Sequence, residues 1–199
     1  AEHNPNPKTE LIFNNNFTLL IAIILSAQAT DKSVNKATEI LFKEYNNPKD
    51  ILKLGLDGLK EHIKIIGLYN SKATNIIELC KLLLLQNEKI PDNFTDLIKL
   101  PGVGRKTANV YLNIVHKMHN VAVDTHVARV SKRLGLTSFD NPQKIEQDLL
   151  NSIPSKFLSN AHNWLVLHGR YICKARKPLC KECFLAENCK YNLSLVTKS

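Results

Sequence analysis

Three groups of residues in this chain are of types and at spacings that could do chemistry. The first is Leu100-Pro101-Gly102-Val103-Gly104-Arg105-Lys106. Proline stops a preceding helix, and the glycines permit positive φ and close approach of another backbone. The backbone N–H groups then point outward at the start of the next helix, which makes a phosphate site. Arg105 and Lys106 add full charge there. A lysine in a first helical turn opposes the partial positive charge of the helix N-terminus. Two uses account for one: a contact to phosphate, or a neutral amine, which is a nucleophile that forms Schiff bases. An ordinary turn between two helices would also use Pro-Gly-x-Gly.

The second group is Val123-Asp124-Thr125, which opens a segment of helical periodicity. Aspartate is a favoured N-cap, and that role alone explains Asp124. A catalytic role needs the helix starts at Arg105 and Thr125 to serve one substrate. The third group is cysteine. Four of the five fall at Cys173, Cys180, Cys183 and Cys189, as C-x6-C-x2-C-x5-C, with Cys80 apart. A disulfide framework is out of place in a chain with a generous core and no export signal. Four thiolates suit zinc or an iron–sulfur centre, and spacing does not choose between them.

Charge points to a polyanion. The 199 residues carry a net +9, unevenly. Residues 101–133 hold six bases against one acid, residues 167–199 hold seven against two, and the remainder holds 14 against 15. A solvated basic surface or a nucleic-acid face would produce this pattern. At 44% hydrophobic and 23% charged the composition is that of a folded globular chain. The longest apolar run, Leu19 to Leu25, is far short of a bilayer span. No secretory signal is visible at Ala1–Lys8.

The elements that must position these residues read as helices throughout, about ten of them, with no convincing strand. Phe17–Ala27 is apolar nearly all round, a buried central helix. Asp31–Tyr45 places Val34, Ala37, Leu41 and Tyr45 on one stripe, with Asp31 as cap or first-turn acid. Short helices at Ile51–Lys53 and Asp57–Ile65 are separated by Gly55. Ser71–Gln86 turns Ile76, Ile77, Cys80, Leu83 and Leu84 inward, so Cys80 is a small buried hydrophobe. Arg105–Lys117 and Thr125–Leu134 follow, the latter closed by Gly135. Asn141-Pro142 opens a helix with Ile145, Leu149 and Leu150 inward. Ser155–His168 buries Leu158, Ala161, Trp164 and Leu165 and ends at Gly169.

Taken together, L-S-A-Q-A-T-D (25–31), I-G-L-Y-N-S-K-A (66–73), L-P-G-V-G-R-K-T-A-N (100–109), V-D-T-H-V (123–127), W-L-V-L-H-G-R-Y (164–171) and the cysteine pattern resemble the endonuclease III family. These are bifunctional DNA glycosylases and abasic-site lyases of the helix-hairpin-helix superfamily. The resemblance runs through nearly the whole chain, in order. It implies an all-α protein of two helical domains with a DNA-binding cleft between them. Residues 16–118 would form a six-helix domain with the helix-hairpin-helix motif, and residues 1–15 with 119–199 an iron–sulfur cluster domain. It implies Lys106 as the Schiff-base lysine and Asp124 as the catalytic carboxylate. Gln28 would fill the hole left by an extruded nucleotide, and Leu68 would wedge at the opposite strand. Gly102, Gly104, Arg105, Lys174, Arg176 and Lys177 would meet DNA. Cys173, Cys180, Cys183 and Cys189 would hold a [4Fe-4S] cluster.

The implied substrate is double-stranded DNA with oxidised pyrimidines or abasic sites, cut 3′ to the abasic site by β-elimination. The implied protein is a monomer without membrane attachment, in the cytoplasm with the bacterial nucleoid. The family usually has a further helix ahead of Asn4-Pro5-Asn6-Pro7, which would pack in the cluster domain. The turn His116–Asn120 is poor in glycine and proline. A related adenine glycosylase shares the cluster spacing, but Lys106 and L-S-A-Q-A-T speak against it. A non-catalytic DNA-binding module and a zinc-stabilised helical protein are the rivals from other classes.

Overall fold

The computed structural model describes residues 4–196, which hold ten α-helices, two short 3-10 turns and no strand. None of the described helices is long and apolar enough to cross a membrane. The chain divides into two compact units, one of residues 10–116 and one that joins residues 4–9 to 117–196.

The first unit is built on α1 (Asn16–Ser26), whose residues Phe17 to Leu25 are all buried. An apolar helix without a polar face has to be surrounded. It is packed by α2 (Asp31–Glu44), α4 (Tyr69–Leu85) and α6 (Arg105–His116). Each fully buried leucine or isoleucine here contributes about 1.5–3 kcal/mol. Asn15 caps α1 in a reciprocal pair with Thr18, and Thr30 caps α2, so Asp31 is the first-turn acid. In α3 (Pro48–Ile63) Gly55 adopts φ 76° and ψ 174°, which divides the helix where the sequence places the break. On α4, Ile76, Ile77, Cys80 and Leu83 are buried as expected. Leu84 is not; it is 37% exposed, since it turns outward on the last helical turn. A four-residue helix the periodicity did not reveal, α5 (Phe94–Leu97), is capped by Asn93 and packs on α6.

The second unit has a smaller core, in which Val121, Val127, Val130, Ile145, Leu149, Leu158, Ala161, Leu165 and Val166 are buried together. These come from the segment before α7 (Thr125–Leu134), from α7, and from α8 (Pro142–Ser152) and α9 (Ser155–Tyr171). Asn141 caps α8 with Pro142 at its first position, while Gly135 ends α7 at φ 85°. Gly169 does not end α9, as the sequence led us to expect; the helix continues to Tyr171. A Cβ at Gly169 would lie 2.9 Å from the His126 Cβ, so this glycine lets α9 approach α7. Trp164 is half-buried, and its ring N–H donates to Asn4 O at 2.6 Å. After α9 the chain runs through two 3-10 turns, Cys180–Glu182 and Ala186–Asn188, into α10 (Lys190–Val196).

Candidate active site

In the first unit, the turn of residues 98–104 joins α5 to α6. Gly102 lies at φ 75°, where L side chains are strained, and a Cβ there would come within 3.1 Å of Asn75 Cβ and 3.3 Å of Ile24 Cγ2. Gly104 differs from the expectation for both glycines. Its φ is not positive, and nothing of the chain lies within 4 Å of where its Cβ would be. It leaves the approach to the start of α6 open. Arg105 and Lys106 occupy the first turn of α6, and both are exposed. The Arg105 guanidinium sits 5.0 Å from the centre of the Phe94 ring. That cation–π contact steers the charge without neutralising it.

Two further loops of this unit carry candidate residues. Gln28, between α1 and α2, is exposed and left-handed at φ 54°. Leu68, immediately before α4, is left-handed at φ 60° and 58% exposed. Left-handed non-glycine residues are uncommon, and such strain clusters at functional sites. A Cβ on Gly67 would lie 3.8 Å from Gln28 O, so the two loops abut. Sequence reasoning missed Lys72, which is 5% exposed beneath them and donates to Leu25 O and Ala27 O. The signal was there: Lys72 falls four residues before Ile76 and eight before Cys80, on the stripe that α4 buries.

In the second unit, Asp124 is the N-cap of α7. Its Oδ1 accepts from the backbone N–H of His126 at 2.9 Å and of Val127 at 2.8 Å. Its Oδ2 lies 3.3 Å from His126 Nδ1, and its side chain is 15% exposed. The cap therefore exists as the sequence suggested. It occupies one oxygen with backbone amides and leaves the other beside an imidazole. His162 Nδ1 lies 2.9 Å from Ala122 O and anchors the segment that leads to Asp124.

The five cysteines are all free of disulfides. Cys80 is buried, and burial pushes its thiol up to about 12. The other four line one cavity of about 20 Å³ with Leu134, His168, Ile172 and Leu179. Burial pushes the Cys183 thiol up; the Leu185 backbone amide opposes this, and the neighbouring thiols of Cys189, Cys173 and Cys180 add to it. Four thiols around one shared apolar cavity are a donor set that an iron–sulfur group takes.

The Cys173–Cys180 loop presents Lys174, Arg176 and Lys177, all exposed, with Lys177 at φ 50°. Arg133 holds that loop by donating to Lys174 O at 2.7 Å and Ala175 O at 3.1 Å. Arg129 donates to Gly169 O at 2.9 Å and Cys173 O at 3.1 Å. Part of the basic excess read as a polyanion face is thus directed at backbone carbonyls inside the unit.

Comparison with known proteins agrees along the chain. Residues 21–155 match the model of the HhH-GPD superfamily of base excision DNA repair proteins. Residues 173–189 match the iron-sulfur binding domain of endonuclease III. Endonuclease III of Rickettsia conorii is 59% identical over 196 residues, covering 98% of this chain and 93% of the relative. The Escherichia coli K12 protein of that name is 51% identical, covering 96% and 90%. Two solved structures are each 43% identical to the chain. A non-covalent endonuclease III–DNA complex aligns with TM-score 0.92 over 99% of this chain and 93% of its own. A trapped endonuclease III–DNA covalent intermediate aligns with TM-score 0.91 over 98% and 93%.

Proposed function

Because the chain belongs to the endonuclease III family of helix-hairpin-helix base excision repair proteins, we propose that Lys106 is its covalent nucleophile and Asp124 its catalytic carboxylate. The protein is a DNA glycosylase that binds DNA and carries a [4Fe-4S] cluster. The residue roles, the lesion and the setting are our reading. The single observation that carries it is the place of Lys106: an exposed lysine in the first turn of the helix opened by the Gly102–Gly104 turn.

The chemistry follows from these groups. The substrate is an oxidised pyrimidine, or an abasic site, in duplex DNA. A base inside the stack is out of reach, so the nucleotide must leave it, and a damaged base resists least. Backbone amides at the Gly102–Gly104 turn hold a phosphate, with Arg105 beside them. Lys174, Arg176 and Lys177 hold further phosphates from the loop that Arg133 pins. Gln28 fills the vacated position and Leu68 wedges against the opposite strand, so that new contacts offset the lost stacking.

The Lys106 amine then attacks the anomeric carbon. A carbon–nitrogen bond forms, the glycosidic bond breaks, and the base leaves with that electron pair and takes up the proton that the attacking nitrogen gives up. Asp124 assists generation of the nucleophile and stabilises the positive charge that develops on the sugar. Ring opening gives an imine, which acidifies the adjacent carbon. Loss of that proton expels the 3′ phosphate by β-elimination. No phosphodiester is hydrolysed in this sequence. Cys173, Cys180, Cys183 and Cys189 are the cluster ligands, and the cluster's part is to hold the loop that carries the bases. The protein acts as a monomer on the nucleoid in the cytoplasm, without membrane attachment.

Incubation with a duplex containing one oxidised pyrimidine, followed by denaturing electrophoresis, tests the reading. Cleavage 3′ to the lesion is expected from the wild-type protein and not from Lys106→Gln. Equal cleavage by both would overturn the assignment of Lys106.

A further inference from the structure

Lys72 stands out among the charged residues of the first unit. It is 5% exposed, and among the described residues no carboxylate pairs with it. Burial holds its pKa below the ordinary lysine value. A buried ammonium is costly unless its protons are hydrogen-bonded. Here Nζ donates to Leu25 O at 2.9 Å and Ala27 O at 2.6 Å. Those carbonyls close α1, whose last turn has no basic residue of its own. They form the negative end of that helix, where a cation is favoured.

The ammonium reaches them from the first turn of α4. The Lys72 backbone N–H donates to Leu68 O at 3.1 Å, and the Ser71 hydroxyl donates to the same oxygen at 3.0 Å. One residue therefore grips Leu68 through its backbone and the carbonyl just before Gln28 through its side chain. Gln28 and Leu68 are both exposed and left-handed, at φ 54° and 60°. Unfavourable backbone conformations persist only where the surroundings over-determine them. Removal of the amine would leave the buried Leu25 carbonyl and the part-buried Ala27 carbonyl without this donor and free the two loops to move apart.

We propose that Lys72 is a positioning residue that fixes the spacing of Gln28 and Leu68, so that both enter the duplex together. This rests on the reading of those two residues as the ones that fill and wedge the opened duplex. Lys72 itself touches neither the lesion nor the sugar; its ammonium acts through the two loops.

The test compares affinity for a duplex carrying a tetrahydrofuran abasic analogue with affinity for the same duplex undamaged. For Lys72→Met the ratio of the two should fall about tenfold, with Lys72→Arg recovering most of it. Lys72→Gln, shorter and without the ammonium, should show the same fall and serves if Lys72→Met folds poorly. Trapping by borohydride on a single-stranded abasic oligonucleotide has no hole to fill, and it should survive the Lys72 changes. In a Gln28→Ala/Leu68→Ala background, Lys72→Met should lower the ratio no further.

A lowered melting temperature with an unchanged ratio would overturn the proposal and leave Lys72 a stabilising residue only. So would a full additional loss in the double-alanine background. If Gln28→Ala and Leu68→Ala leave the ratio at the wild-type value, the reading of those two residues fails, and the role of Lys72 fails with it.

Discussion

Residues 10–116 and residues 172–189 reach order by opposite routes. In the first, nine consecutive residues of α1 are buried, and α2, α4 and α6 pack on it. Apolar burial around α1 holds it compact. In the second, the two 3-10 turns bury none of their residues, and four thiols surround a small cavity. What orders that stretch is the reach of Arg129 and Arg133 to its carbonyls and whatever the cysteines hold. A segment without a core needs a ligand, because ligand binding energy then serves as folding energy. The first region carries the proposed nucleophile on a scaffold with an apolar core of its own. The second presents the bases proposed to bind phosphate, on a scaffold whose order depends on what its cysteines hold.

The largest effect should come from loss of the cluster. Iron removal, or Cys183→Ala, should abolish specific DNA binding and expose the amides of residues 172–189 to hydrogen exchange. The amides of α1 should stay protected. Equal protection of both regions after iron removal would erase the contrast.

Next come the two residues proposed to do the chemistry. Lys106 is exposed, so Lys106→Gln should leave the melting temperature unchanged while lowering strand cleavage by about 10³-fold or more. Asn caps helices as well as Asp, so Asp124→Asn should keep the fold and lower the rate by about 10²–10⁴-fold. Asp124→Ala should in addition cost about 0.5–2 kcal/mol of stability, because the amides of His126 and Val127 lose their acceptor. Single-turnover rates alongside denaturant unfolding separate the two losses.

A core truncation sharpens the other side of the contrast. Leu20 is fully buried, and Leu20→Ala should cost about 2–5 kcal/mol in urea unfolding while the iron absorbance remains. The smallest effect is alkaline. Burial pushes Cys80 and Tyr111, both in the first unit, up to about 12 from 9.0 and 10.0. Both stay protonated when folded after their unfolded counterparts ionise. Their contribution to stability is therefore whole below about pH 9 and declines as pH rises towards about 12. Cys80→Val and Tyr111→Phe should each flatten the pH dependence of unfolding.

The parts of the fold readable from sequence were those with local causes. Asn141-Pro142, Gly135 and the break at Gly55 depend on backbone chemistry within a few residues, and each has the expected effect. The apolar run of α1 could be nothing but buried. Contacts distant along the chain were not legible. Gly169 reads as a stop signal but serves close packing against α7. Arg129 and Arg133 read as DNA-facing charge, yet they bind carbonyls about 40 residues away. Lys72 lay on the buried stripe of α4, but nothing local says what a buried ammonium would hold. The helix starts at Arg105 and Thr125 were legible because proline, glycine and aspartate mark them; that the residues there share one substrate is a claim of chemistry.

Mass mapping of a borohydride-reduced complex tests that claim most directly. The protein is incubated with a duplex bearing one abasic site, reduced, digested and sequenced by mass spectrometry. A deoxyribose remnant on Lys106, lost in Lys106→Gln and much reduced in Asp124→Asn, is the predicted result. A remnant on another amine, or none in the wild-type protein under conditions that cleave the DNA, would contradict it.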